Sequence, residues 1–219
     1  MPQSVTLGVR LVRDQTEPET DRQRWDRKYA AQEGPTHFRP GRLLVEYRHL
    51  LVGDDTDAGH QPTATLSPRR ALDVACGFGG ASLFLASLGY QVDAVDVSSV
   101  ALAQVQAEAS KRGLQLRLIQ ADLDRWWIPP ARYDLIVSKY YLNRDLMPQL
   151  ARGLRAGGFL FIETRNVRFL SVRPGFDPAF LLQLGELAQF ATDAGLETLH
   201  VADGMPEETG SQLVARRPA

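Results

Sequence analysis

From residue 70 onward, short apolar runs alternate with longer amphipathic ones. The segments ALDVA (71–75), QVDAVDV (91–97), LQLRLIQ (114–120), YDLIVS (133–138) and FLFIET (159–164) are dense in Val, Ile, Leu and Phe. Gly, Pro, Ser or Asp lies near most of their ends, which predicts five buried strands. LETLHVAD and SQLVAR, near the end of the chain, are two further strand candidates. Helices are predicted between them at ASLFLASLG, at SSVALAQVQAEASKRG with Ser98 or Ser99 as N-cap and Gly113 as stop, and at LMPQLARGLRAGG, ending at glycine. A further helix is expected over about 178–194. Strands alternating with helices of this length predict an α/β fold: a seven-stranded, mostly parallel sheet with helices on both faces. Such sheets bind ligands outside the carboxyl ends of their strands, where the strand order reverses.

The first 62 residues read differently. A charged stretch from Glu17 to Lys28 leads into Trp25, Tyr29 and Ala30, which share a helical face. The breakers Gly34-Pro35 and Pro40-Gly41 bracket a loop carrying His37, Phe38 and Arg39. Leu43, Leu44, Tyr47, Leu50 and Leu51 recur with the period of an amphipathic helix, and Gly53 to Pro68 reads as a polar linker. The expected organisation is one domain over 1–219, with 1–62 a helical lid and linker and 63–219 the α/β core.

Composition narrows the class. The 25 Lys+Arg against 26 Asp+Glu give a net charge of −1, which argues against a nucleic-acid binder working through bulk positive charge. The single cysteine, Cys76, forms no internal disulfide and supplies no cysteine metal cluster, and no metal site is expected. The absence of any apolar run near the ~18 residues of a membrane helix, and of a signal-peptide core at the start, leads to an expectation of a cytoplasmic protein without a membrane partner.

The chemistry concentrates in Asp73-Val74-Ala75-Cys76-Gly77-Phe78-Gly79-Gly80, where the first core strand meets a helix. Glycines there permit a tight turn and a close ligand approach. A dinucleotide would prefer G-x-G-x-x-G/A, whereas this turn reads Gly77-x-Gly79-x-x-Ser82. Asp73 would also repel a pyrophosphate but suits a cationic ammonium. Asp96 ends the second strand, where an acid can accept hydrogen bonds from a ribose diol. Asp122 follows the third, within reach of an adenine edge. A phosphate-free ligand with an amino-acid end, a ribose and an adenine satisfies all three, and S-adenosylmethionine is that ligand.

On these residues the chain resembles the class I S-adenosylmethionine-dependent methyltransferases. LDVACGFGG matches the family's D-x-G-x-G-x-G element with Ala75 in place of a glycine; AVDVS and QADL match the second- and third-strand elements. YDLIVSKYYL and LRAGGFLFIET match the fourth and fifth. The resemblance implies a Rossmann-like sheet and a cofactor site built from Asp73, Ala75, Cys76, Gly77, Gly79, Asp96, Val97, Ala121, Asp122, Leu123 and Ser138. W-D-R-K-Y-A at 25–30, the FLFIETRN strand and the LLQLGEL…AGLETLHVADG tail are similar to the tellurite-resistance methyltransferase group, which implies a helix carrying Trp25 and Tyr29 over the methyl donor.

The acceptor is expected to be a small molecule, a thiol, chalcogen oxyanion or hydroxyl, methylated by in-line displacement. Its contacts are expected from Ser138 to Tyr141 and from Glu163 to Asn166, at the ends of the fourth and fifth strands. His37 and Tyr140 are the candidates for a general base, which only a hydroxyl acceptor would need. A surplus of basic residues from Lys139 to Arg173 either attracts an anionic acceptor or forms a solvated face. The alternative function is a subunit that binds S-adenosylmethionine and regulates without turnover. The oligomeric state is left open.

Overall fold

The computed structural model describes residues 19–32, 38–52, 68–204 and 208–219. Helices α1 (Asp21–Ala30), α2 (Arg42–Glu46) and α3 (Arg48–Leu51) come first. There follow β1 (Arg70–Val74), α4 (Gly80–Ser87), β2 (Gln91–Asp96), α5 (Ser99–Lys111), β3 (Arg117–Gln120), β4 (Tyr133–Lys139), α6 (Met147–Gly153), β5 (Leu154–Arg165), α7 (Glu186–Asp193), β6 (Glu197–Asp203) and β7 (Gly210–Arg216). The strands form one seven-stranded sheet in the order β3-β2-β1-β4-β5-β7-β6. The first five strands pair in parallel, and β7 joins β5 and β6 antiparallel. The predicted α/β sheet is therefore present, and its strand order reverses at β1, between β2 and β4.

The pleat sends alternate residues to opposite faces. Leu72, Val74, Ile136, Leu160 and Ile162 pack on one side with Leu150 of α6 and Leu187 of α7. Ala71, Val92, Leu135, Val137 and Phe161 pack on the other with Leu85 of α4 and with Leu43, Leu44 and Leu51. Residues 42–51 are thus part of the sheet's own core rather than a detached cover. Each such buried leucine contributes ~1.5–3 kcal/mol.

Four predicted elements are corrected by tertiary contacts. The single amphipathic helix over Leu43–Leu51 is divided at Tyr47 (φ −96°, ψ 24°). There the ring turns in against Phe161 and His200, at centroid distances of 6.4 and 5.5 Å. The third strand starts at Arg117 because the Leu114 N–H donates to the Ala109 carbonyl (2.9 Å) and closes the end of α5. The helix expected to run to Gly157-Gly158 stops at Gly153, where a Cβ would meet the Ile128 and Ile136 side chains at 2.7 and 3.0 Å. The chain after it joins the sheet: Arg217 donates to the Leu154 carbonyl, and the Arg155–Gly158 stretch bulges out with Gly157 at φ +76°.

The helix expected over 178–194 is confined to Glu186–Asp193. Leu181 and Leu182 are fully buried in extended chain, held by the Arg144 guanidinium. That group donates to the carbonyls of Ala179 and Leu181 (both 2.9 Å) and to both carboxylate oxygens of Glu186 (2.6 and 2.9 Å). Gln183 N–H, just before α7, donates to the same carboxylate (2.8 Å). Charge-assisted bonds of this kind outweigh the helical preference of a short segment. Replacing Arg144 with Gln is expected to lower unfolding stability by about 1–3 kcal/mol, read from urea melts. A change of a few tenths would show that the clasp contributes nothing.

Candidate active site

The site lies at the carboxyl ends of β1, β2 and β4. After Val74 the backbone enters the left-handed region three times in five residues, at Ala75 (φ +52°), Gly77 (φ +51°) and Gly79 (φ +70°). The turn is tied down by Cys76 N–H donating to the Val95 carbonyl (2.9 Å) and Gly79 N–H donating to Cys76 (2.8 Å). A Cβ on Gly79 would stand 2.7 Å from a Val105 methyl, so the glycine is required by packing as well as by angle. Ala75 carries the same left-handed angle with a side chain, which costs ~1–2 kcal/mol locally.

Two carboxylates face this turn. Asp73 is buried, and its Oδ2 accepts from both the N–H (2.9 Å) and the hydroxyl (2.5 Å) of Ser82 in α4. Burial outweighs these bonds and pushes its pKa up to about 6. Asp96 is buried too, accepting from Gly77 N–H (2.8 Å) on Oδ2 and from Ser98 N–H (2.9 Å) on Oδ1. Burial again raises its pKa, against the lowering by the backbone N–H groups. Each Asp96 oxygen keeps acceptor capacity beyond its one backbone bond. The Cys76 thiol is raised well above its usual range by burial and by both carboxylates, which keeps it a neutral thiol.

Helix α1 closes over the turn. The Tyr29 hydroxyl stands 2.9 Å from where a Cβ on Gly77 would lie. Its ring meets Phe78 edge-on (4.8 Å) and stacks on Trp25 (5.6 Å). Asp26 anchors the helix: its Oδ1 accepts from the Ser98 hydroxyl (2.6 Å) and Val100 N–H (3.3 Å) at the start of α5. The Ser98 hydrogen bond, with smaller help from those N–H groups, lowers the Asp26 pKa. Sequence reasoning missed this anchor; its only signal was an acid placed between Trp25 and Tyr29. Residues 38–41 pass across the start of α4, where a Cβ on Gly80 would collide with the Arg39 carbonyl. They end beside Lys139, whose Nζ lies 3.2 Å from a Cβ built on Gly41.

The other expected residues are less uniformly placed. Val97, Ala121 and Leu123 follow β2 and β3, with Leu123 in the core. Asp122 is exposed, accepts from Asp124 N–H (3.0 Å) and approaches Arg125 at 3.9 Å, so it closes its own turn. Trp126 packs on the core while Trp127 is 63% exposed. Ser138 is buried at the end of β4 and lines two small cavities of about 10 and 20 Å³. Tyr140 is on the rim at φ +55°, its N–H donating to the Glu163 carbonyl (2.7 Å). His37 lies outside the described residues. Among the described residues, no cluster of His, Cys, Asp or Glu is arranged to hold a metal, and no helix is long and apolar enough to cross a membrane.

Residues 71–158 match the methyltransferase domain family, and this segment contains the turn and both carboxylates. Over this segment the chain is similar to S-adenosylmethionine-dependent methyltransferases. The chain is 31% identical over 119 residues to TehB of Haemophilus influenzae, a span of 51% of this chain and 40% of that protein. It is 33% identical over 174 residues to the ribosomal protein uL3 glutamine methyltransferase of Bordetella pertussis, covering 69% of this chain and 57% of that one. The TehB crystal structure superposes with a TM-score of 0.58 at 22% identity, covering 69% and 58% of the two chains. A methyltransferase structure from Aquifex aeolicus gives 0.60 at 15% identity, covering 87% and 97%. At these identities the structures share the fold. The chain spans between 38% and 67% of the length of the first curated relatives it matches.

Two variants test the turn by urea unfolding. Gly79→Ala is expected to cost about 2–3 kcal/mol from its angle and the Val105 overlap, whereas Ala75→Gly stays within ~1 kcal/mol of the parent. An Asp26→Ala variant is expected to lose amide-exchange protection in α1 while the sheet keeps its own. In the parent, the Asp26 contact is present above its ordinary pKa of 3.8 and is lost as pH falls further. Unchanged protection in the variant would remove Asp26 as the anchor.

Proposed function

We propose that the chain transfers a methyl group from S-adenosylmethionine to a small-molecule acceptor. The observation that carries this reading is the pair of buried carboxylates at adjacent strand ends, Asp73 and Asp96, with a left-handed turn between them and Tyr29 above it. The pair fits the ligand's two polar ends: Asp73 suits an ammonium, and the free acceptor capacity of Asp96 suits a ribose diol. The left-handed turn lets backbone rather than side chain pass close to both acids, the path a nucleoside site needs. Ala121, Leu123 and the exposed Asp122 are assigned to the adenine edge.

When bound, S-adenosylmethionine supplies a methyl group on a positively charged sulfur, already activated for displacement. The residues of the chain therefore have mainly to orient the acceptor and exclude water. Trp25, Tyr29 and Phe78 cover the turn, and Ser138, Lys139 and Tyr140 form the opposite rim. The small-molecule acceptor is supported by the net charge of −1, which offers no bulk positive field for a nucleic acid. Relatives named for ubiquinone biosynthesis, for a ribosomal protein and for ribosomal RNA show how widely acceptors vary on this fold. Tyr140 remains the candidate base for a hydroxyl acceptor, and His37 the alternative; a thiolate needs neither.

Calorimetry with S-adenosylmethionine is the direct test, and Asp96→Ala should weaken binding at least tenfold, the loss of hydrogen bonds to a charged acceptor. Affinity should also fall by up to tenfold per pH unit below about 6, because protonating Asp73 removes the charge that holds the ammonium. In Asp73→Asn that dependence should disappear. Stability runs the other way: the raised Asp73 pKa favours the fold at low pH, and that contribution is lost as pH rises through about 6. Absence of binding would refute the reading. Binding without product over thiol, chalcogen oxyanion, phenol and amine acceptors would leave the regulatory alternative.

A further inference from the structure

At the amino ends of the first four strands, away from the glycine turn, three arginines converge on one carboxylate oxygen. Asp93 of β2 is buried, only 2% exposed. Its Oδ2 accepts from the Tyr133 hydroxyl (2.9 Å) and from Arg70 Nη2 (3.4 Å). The same oxygen stands 3.6 Å from Arg117 Nη1 and 3.8 Å from Arg132 Nε. Nitrogens that all lie within 3.8 Å of one atom are close to one another, so these distances place the three guanidinium groups together. Strand order explains the meeting. β1 and β3 flank β2, Arg70 opens β1, Arg117 is the register partner of Asp93, and Arg132 directly precedes β4.

One carboxylate against three guanidinium groups leaves a surplus of positive charge. Asp134, the residue after Tyr133, is matched by a fourth arginine, Arg155, at 3.1 Å. Donors are in surplus as well. Each arginine carries five N–H donors. Tyr133 holds the close approach to Asp93, and Arg117 and Arg132 stay beyond hydrogen-bond distance of it. Arg70 Nη1 reaches Gln91 only at 3.4 Å, and Arg70 Nε is buried with no hydrogen-bond partner. Among the described residues it is the one buried side-chain nitrogen or oxygen left so. A shielded donor without an acceptor costs stability, and like charges held together favour an anion beside them. The three side chains are 25%, 61% and 35% exposed, so their outer edges are within reach of a solute.

We propose that Arg70, Arg117 and Arg132 form a binding site for a phosphate group, with Asp93 as the internal post that gathers the three guanidinium groups. A tetrahedral dianion matches the uncompensated charge and offers separate oxygens to separate guanidinium forks, which a carboxylate does not. Three forks gathered at one point suit a single phosphate group, whereas a nucleic-acid strand needs a groove that tracks its backbone. The site is remote from the cofactor turn. On β2, Asp93 and Asp96 are separated by ~10 Å of extended chain, and on β1 Arg70 and Asp73 by the same span. A phosphate group held there leaves the methyl-donor site open, and the inference stands independently of the methyltransferase reading.

The test is calorimetry of the full chain with inorganic phosphate and with phenyl phosphate, at about pH 8, where both are largely dianions, and at an ionic strength matched with sodium chloride. One site per chain of millimolar or tighter affinity is expected for at least one of them. Tighter binding of inorganic phosphate marks a site for the free ion, and tighter binding of the ester a site for the phosphate of a larger molecule. Arg117→Gln and Arg132→Gln are each expected to weaken binding about tenfold, the loss of charge-assisted hydrogen bonds. Cooperative melting shows that each variant is folded. Phosphate at ~10 times its Kd should raise the parent's Tm by ~3–5 °C over chloride. The double variant should lose most of that rise, which separates the site from the general salting effect that all variants share. Binding of neither compound, affinity unchanged in both variants, or binding of single-stranded DNA while neither compound binds overturns the site.

Discussion

Taking two carboxylates out of water at neighbouring strand ends is the constraint around which this molecule is built. Asp73 and Asp96 lie where β1 and β2 finish, inside a surface that the helices have closed. A buried carboxylate is tolerated only with hydrogen-bond donors in place. Those donors come from the chain immediately downstream: Ser82 in α4 for Asp73, and the Gly77 and Ser98 N–H groups for Asp96. To present the Gly77 N–H in that direction the turn must pass through left-handed angles, and the glycines follow from that requirement. The raised pKa values of both acids show that the donors offset burial incompletely. On the proposed function, a cationic, diol-bearing ligand would supply the partners that the protein does not.

The covering helix obeys the same electrostatics with the opposite outcome. Asp26 sits at the start of α5, where N–H groups and a serine hydroxyl favour negative charge, and its pKa falls. The helix thus binds the core through an acid whose partners are a serine hydroxyl and a backbone N–H at the start of α5.

Sheet, helices and glycine turn were legible because each rests on local pattern: β-branched runs bounded by breakers, and acids directly after them. Element ends were less so. α6 ends at Gly153, where Ile128 and Ile136 leave no room for a side chain, and Arg144 holds Leu181 and Leu182 extended against the helical preference of their neighbours. Neither cause is adjacent in sequence to its effect. Asp122 shows the reverse difficulty, since its place after β3 predicts a ligand contact while its side chain closes a local turn.

The sequence by itself determined the α/β class, the position of the turn and the acids around it, since these follow from residue types and their spacing along single elements. Only the tertiary structure decided which groups answer those acids, that residues 42–51 belong to the sheet's own core, and that Asp26 of the first helix meets Ser98, 72 residues later. The physical reason is range. Hydrophobic period and turn chemistry act over a few residues, whereas desolvation and charge act through space, between groups that become neighbours only when the sheet has formed.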